Sequence, residues 1–182
     1  PGVIHTVLQD KQKNIWIGGK ESGIFIYNPQ NNHLRKIKIN HDQGKNVIWS
    51  IYEDASGTIW VGTRLGLLRY NQDTGLLDPI EKLYNASDNP EHEILSILED
   101  QEGNLWLGTR TEGLLLYKRQ TNSYASYLKS EKESFYVTHI RSIFQYDEKT
   151  LFIGSDDGLY AFDIEHKITK RIDIPQLHFS LS

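Results

Sequence analysis

Several residue sets in this 182-residue sequence have the types and spacing that chemistry requires. Neighbouring acids stand at Glu53-Asp54 and again at Glu99-Asp100, and paired carboxylates are what glycoside hydrolysis uses as acid and as base or nucleophile. An active site needs one such pair in one place, whereas these recur as turn openers, so turn and cap chemistry is the stronger reading. Trp16, Trp60 and Trp106 could offer indole faces to the C–H edges of sugars. Each sits mid-way along an apolar run at an equivalent place, which favours packing. The segments Asp54 to Gly57 and Asp100 to Gly103 look like half of a calcium loop, but the rest of the ligand spacing is missing and no metal site is expected. There is no Ser-His-Asp order, no His-x-x-x-His pair and no phosphate-cradling glycine loop, so neither a catalytic residue nor a cofactor is expected.

The elements that must position these residues belong to an ordinary globular composition. Hydrophobic residues make up 38% and charged residues 24%. Twenty basic against 24 acidic side chains leave a formal charge of −4, which argues against a nucleic-acid partner. No apolar run approaches the ~18–20 residues that cross a bilayer, and no membrane contact is expected of this piece. Zero Cys excludes disulfides and thiolate chemistry. The lack of any Met, of an initiator and of a targeting segment suggests a piece of a longer chain.

Internal repetition is the strongest signal. The phrase Ser50-Ile51-Tyr52-Glu53-Asp54-Ala55-Ser56-Gly57-Thr58-Ile59-Trp60-Val61-Gly62-Thr63 returns as Ser96-Ile97-Leu98-Glu99-Asp100-Gln101-Glu102-Gly103-Asn104-Leu105-Trp106-Leu107-Gly108-Thr109. Its central ring falls at Trp16, Trp60, Trp106 and Phe152, at spacings of 44, 46 and 46 residues, with Gly18, Gly62, Gly108 and Gly154 in step two residues later. Within each copy the apolar runs are strand-length, rich in Ile, Val, Trp and Tyr, and bounded by Gly, Asn, Asp or Ser. Four runs fit each copy, in the second at roughly 46–53, 58–63, 66–71 and 78–84. Helical periodicity is nowhere convincing; Asn85 to Glu93 could form one short turn. A four-strand unit of this length is the footprint of a propeller blade. The expected fold is all-β: four four-stranded antiparallel sheets forming a partial β-propeller, with blades at 3–45, 46–91, 92–137 and 138–174 and the start of a further blade at 175–182. The polar fourth strands, such as His33 to Ile39, belong at the rim. Lys13 and Lys149 replace the turn glycine in the first and fourth copies, whose turns are expected to be looser.

That phrase, followed by Gly-Leu-Leu-x-Tyr, resembles the two-component regulator propeller repeat, and the likeness runs from about Val3 to Asp173. The first copy departs at Lys13 and Gly19; the fourth lacks the Glu-Asp pair and has Phe152 for Trp. The resemblance implies a fragment of the periplasmic sensor region of a hybrid two-component system, held in an inner-membrane protein, that binds an oligosaccharide and regulates transcription through a histidine kinase elsewhere in the parent chain. Under that implication this fragment is not itself an enzyme. A propeller lyase or hydrolase, similar to the streptogramin lyases, and a non-catalytic interaction platform remain as alternatives.

Ligand specificity should lie where the copies disagree. One first-strand register position reads His5, Trp49, Leu95 and Arg141; another, after the Gly-Thr step, reads Lys20, Arg64, Arg110 and Asp156. In propellers the segments leading into the first strand share a face with the loops between the second and third strands, which gathers His41, Asp42, Asn46, His92, Glu93 and His139 with Arg64 and Arg110. Arg64, Arg110, Trp49, His92 and His139 are therefore the candidate ligand-binding residues, the arginines suited to an acidic glycan. Expected partners are an oligosaccharide, the missing blades of the parent chain, and a second copy joined through the open ends, since terminal repeats without a polar cap leave apolar faces in water.

Overall fold

The computed structural model describes residues 2–20, 23–40, 46–85, 92–128 and 137–173. Among them there are strands and turns but no helix. The first sheet holds β1 (Ile4–Gln9), β2 (Ile15–Gly19), β3 (Ile24–Asn28) and β4 (His33–Ile37). The second holds β5 (Ile48–Glu53), β6 (Ile59–Thr63), β7 (Gly66–Asn71) and β8 (Leu76–Tyr84). The third comprises β9 (Ile94–Glu99), β10 (Leu105–Thr109), β11 (Leu114–Lys118) and β12 (Ser123–Tyr127); the fourth comprises β13 (Ser142–Gln145), β14 (Thr150–Ser155), β15 (Gly158–Asp163) and β16 (Thr169–Ile172). Each is an antiparallel meander with neighbours in chain order. The four first strands, β1, β5, β9 and β13, lie side by side and form the hub. The segments 86–91 and 174–182, which carry the expected short turn and the start of a further blade, lie outside the described residues, as do His41 and Asp42.

Blades form here because no sheet can bury its apolar faces alone. Three separate cores result, one in each seam. Trp16, Ile24, Ile48, Ile51 and Val61 fill the seam between the first and second blades. Trp60, Leu67, Ile94, Leu105 and Tyr117 fill the next, and Trp106, Leu114, Ile140, Leu151 and Phe162 the third. Trp16, Trp60 and Trp106 are all buried, whereas Phe152 is half-buried because no further described blade covers it.

The glycine two residues after each Trp serves the same packing. A Cβ on Gly62 would lie 2.8 Å from the Ile94 carbonyl of the next blade, and one on Gly108 would lie 2.5 Å from that of Ile140. The hub strand of each following blade crosses directly over that backbone.

The Asp-to-Gly turns work as the residue types suggest. Gly57 and Gly103 sit at φ 86° and 78°, the left-handed region, and each closes its turn by an N–H to the carbonyl of Asp54 or Asp100 at 3.0 Å. The first blade corrects the expectation of a looser turn. Lys13 adopts φ 69° and donates its N–H to the Asp10 carbonyl at 2.9 Å, so the same turn closes around a strained lysine. In the fourth blade, Asp147 Oδ1 takes the Lys149 N–H at 2.9 Å instead.

Candidate functional site

Two faces of the arc carry different chemistry, and strand direction decides which residues each receives. On the face of the β1–β2-type turns, the turn aspartate does two jobs. Asp54 Oδ1 accepts the Thr58 N–H at 2.8 Å and Oδ2 accepts the Trp60 indole N–H at 2.8 Å. Asp10 repeats both contacts with Asn14 and Trp16. The preceding glutamate reaches across the seam instead: Glu99 Oε2 takes the Ala55 N–H at 2.6 Å, and Glu53 Oε2 takes the Lys11 N–H at 2.9 Å. The repeated acids are thus turn closers and blade-to-blade bolts, as their recurrence indicates. Burial pushes the Asp54 carboxyl up, but donors from Ser56, Trp60 and Thr58 and the charge of Arg119 outweigh it and hold it below the ordinary carboxylate value.

The opposite face receives the variable residues. His5, Trp49 and Leu95, from the first three hub strands, and Arg141, just before the fourth, wall a cavity of about 360 Å³ together with Ile4. The His5 ring stacks on Trp49 with centroids 4.5 Å apart and planes 10° apart. The Arg110 guanidinium lies 5.2 Å from the Trp49 ring centroid. Glu93 joins these two: its Oε1 accepts the Trp49 indole N–H at 2.7 Å, and both its oxygens accept from Arg110. Arg141 is likewise paired twice with Asp156, whose carboxyl that bond holds below its ordinary value.

The structure therefore brings Trp49 and Arg110 into one cluster. His139 adjoins it by donating its N–H to the Arg110 carbonyl at 2.8 Å, from a left-handed backbone at φ 51°. His92 is buried on Glu112 and meets the Tyr124 ring edge-on at 5.2 Å. Arg64 is half-buried and its backbone N–H donates to the Val47 carbonyl, which ties it to the approach of β5 rather than to Arg110. Arg110 already holds a carboxylate, so an acidic ligand would have to displace Glu93. The sequence pattern did not show that Glu93 and Glu112 neutralise this face. A signal was present for Glu112: the loop Arg110 to Gly113 is one residue longer than Arg64 to Gly66, and Glu112 fills the extra place. Asn46 is buried here too, and neither amide atom has a hydrogen-bond partner. Among the described residues no group of three His, Cys, Asp or Glu could hold a metal ion, and no helix is long and apolar enough to cross a membrane.

Comparison with known proteins gives this geometry a family context. Residues 1–21, 42–64 and 89–111 match the two component regulator propeller family, each segment ending one or two residues past the strand that carries the Trp and Gly of one of the first three blades. The three matched segments do not include the degraded fourth copy. The fold is shared with the extracellular domain of a one-component system of B. thetaiotaomicron, at TM-score 0.74 and 26% identity over 94% of this chain and 22% of that one. It is shared with the extracellular domain of a hybrid two-component system of the same organism, at TM-score 0.63 and 24% identity over 82% of this chain and 18% of that one. Virginiamycin B lyase from Staphylococcus aureus has the fold at TM-score 0.69 and 13% identity, over 97% of this chain and 57% of that one. The chain spans about a fifth of the length of the two B. thetaiotaomicron domains. No curated protein matches it.

Proposed function

We propose that this chain, built of two-component regulator propeller repeats, is part of an extracytoplasmic sensor domain that binds an oligosaccharide and regulates transcription through a kinase elsewhere in its parent protein. The observation that carries the reading is the hub cavity. Four equivalent positions of a repeated scaffold present four different side chains, His5, Trp49, Leu95 and Arg141, to one space of about 360 Å³. Packing would repeat one residue type there; a ligand requires several. The volume falls in the range of small-molecule sites, and an aromatic beside fixed polar groups suits a sugar ring. Because Glu93 and Asp156 neutralise the two arginines, a neutral oligosaccharide fits this face better than an acidic one. The likeness to the B. thetaiotaomicron extracellular domains supports the placement outside the cytoplasm.

A panel of neutral and acidic oligosaccharides, screened by thermal unfolding, tests the proposal. A ligand at a hundredfold excess over its Kd should raise the Tm by about 5–10 °C, and Trp49→Ala should remove most of that rise. No shift with any saccharide would remove sugar sensing from this chain, and new reducing ends in the same samples would replace the sensor with an enzyme.

A further inference from the structure

Arg119 shows what one seam of this protein binds. Its guanidinium lies between the second and third blades, on the turn face opposite the hub cavity. Nη1 donates to Asp54 Oδ2, Nη2 to Glu99 Oε1 and Nε to the Gly103 carbonyl, and the group sits 5.8 Å from the Trp60 ring centroid. Planarity and forked donors match that set of acceptors, as they do wherever guanidinium is recognised.

Every one of those partners is repeated one blade earlier. Asp10 stands for Asp54, Glu53 for Glu99, Gly57 for Gly103 and Trp16 for Trp60. The local geometry is repeated as well. Glu53 Oε2 bonds the Lys11 N–H as Glu99 Oε2 bonds that of Ala55. A Cβ built on Gly57 would lie 3.7 Å from Glu53 Oε1, and one on Gly103 would lie 3.8 Å from Glu99 Oε1. Only the occupant is missing. Arg119 follows Tyr117 by two residues, and the residue two after Tyr70 is Gln72. Gln72, Asp10, Trp16, Gly57 and Tyr70 line a cavity of about 390 Å³. Glu53 Oε1, whose counterpart holds Arg119, is buried with no hydrogen-bond partner. A carboxylate oxygen left so is costly unless a donor reaches it.

We propose that this seam, between the first and second blades, is a binding site for a small molecule bearing a guanidinium group, which takes the place that Arg119 occupies in the next seam. Glu53 Oε1 and the Gly57 carbonyl accept its N–H groups, and Trp16 supplies the aromatic surface. The Asp10 carboxylate contributes charge more than hydrogen bonds, because its Oδ2 already accepts from Trp16 and from Asn14 Nδ2 at 3.0 Å. Arg35 also lines the cavity; its Nη2 donates to the neutral Tyr70 hydroxyl at 3.1 Å, so its charge persists and offsets part of the field of Asp10, which lines the cavity, and of Glu53, whose Oε1 lies beside Gly57. The third seam is the internal contrast. It has the larger cavity, about 620 Å³, and acids of its own in Glu102, Glu148 and Glu165, yet Gln145 replaces the glutamate and Ile164 the arginine, so only Asp100 remains of the repeated acidic pair. The site is independent of the hub cavity and of the sensor reading.

Calorimetric titration of agmatine into the 182-residue protein, at fixed ionic strength, provides the test. One equivalent should bind, with putrescine, an ammonium without the planar fork, at least tenfold weaker. Gln72→Arg should fill the site from within, raising the Tm and weakening agmatine at least tenfold. Glu53→Gln should weaken it similarly with an unchanged far-UV spectrum; if that variant does not fold, Gln72→Arg decides. No agmatine binding at millimolar concentration, or undiminished binding to Gln72→Arg, overturns the proposal.

Discussion

The two inner blades and the two outer ones repeat the same phrase and come out differently. Every residue of β6 and β10 is buried, while the corresponding β2 and β14 alternate between buried and half-buried. The exposed large apolar side chains gather at the ends of the arc: Ile4 and Val7 on the first blade, Phe144 and Ile168 on the fourth. An inner blade is covered on both faces and an outer one on a single face, so identical sequence signals acquire different energetic weight from their neighbours alone. Stability in such an array is approximately a sum of blade terms and seam terms. The outer blades each lack one seam.

The largest effects should therefore come from seam aromatics. Trp60 is 3% exposed and its N–H is held by Asp54. Replacing it by Ala should cost roughly 3–5 kcal/mol in urea unfolding. Phe152, at the equivalent position of the fourth blade, is half-buried, and Phe152→Ala should cost about half as much. Equal losses would mean that the fourth blade is covered in solution, and self-association through its open face would be the first explanation to examine.

The glycines sharpen the contrast at a smaller magnitude. A Cβ on Gly62 meets Ser50 Oγ at 2.3 Å as well as the next blade's Ile94, whereas one on Gly154 meets only Ser142 Oγ at 2.4 Å and nothing else nearer than 3.8 Å. A serine hydroxyl can rotate away and a neighbouring blade's backbone cannot. Gly62→Ala should destabilise by about 3 kcal/mol, and Gly154→Ala by under about 1 kcal/mol. Thermal unfolding of the pair measures the cost of spreading one seam.

How much of this was legible beforehand follows the same division. Blade count, strand order and the packing role of Trp16, Trp60 and Trp106 were readable because the repeat fixes them and chance cannot imitate a 44- to 46-residue period. Turn closure around Lys13 was not, because a left-handed lysine is a local cost accepted for the sake of the tertiary register. The candidate ligand residues were legible as a face but not as contacts. Arg110 reads as an available cation until Glu93 is seen accepting from both its Nε and its Nη2, and that pairing depends on how two loops meet in space. Arg119 was invisible for the opposite reason. It occupies an unrepeated position and acquires its meaning only from what it touches in the preceding blade.

Arg119 also offers the finest test of the contrast between seams, through pH. The Asp54 side chain beside it is fully buried, and its carboxyl stays below the ordinary value of 3.8 because hydrogen-bond donors and the Arg119 charge outweigh the effect of burial. A carboxyl with a depressed folded-state pKa contributes stability that is present above its unfolded value and is lost as pH falls below it. Arg119→Met keeps much of the packing over Trp60 and removes the charge. At pH 7 it should cost about 2 kcal/mol, less than a fully buried pair would, since the Arg119 side chain is 26% exposed. The gap should then narrow as pH falls from 5 toward 3, because protonating Asp54 costs the parent more than a variant whose carboxyl has relaxed toward its ordinary value. Equilibrium unfolding at several pH values in that window reads the difference directly. A gap that stays constant across it would assign Arg119's contribution to its stacking on Trp60, and the seam would then be held by shape rather than by charge.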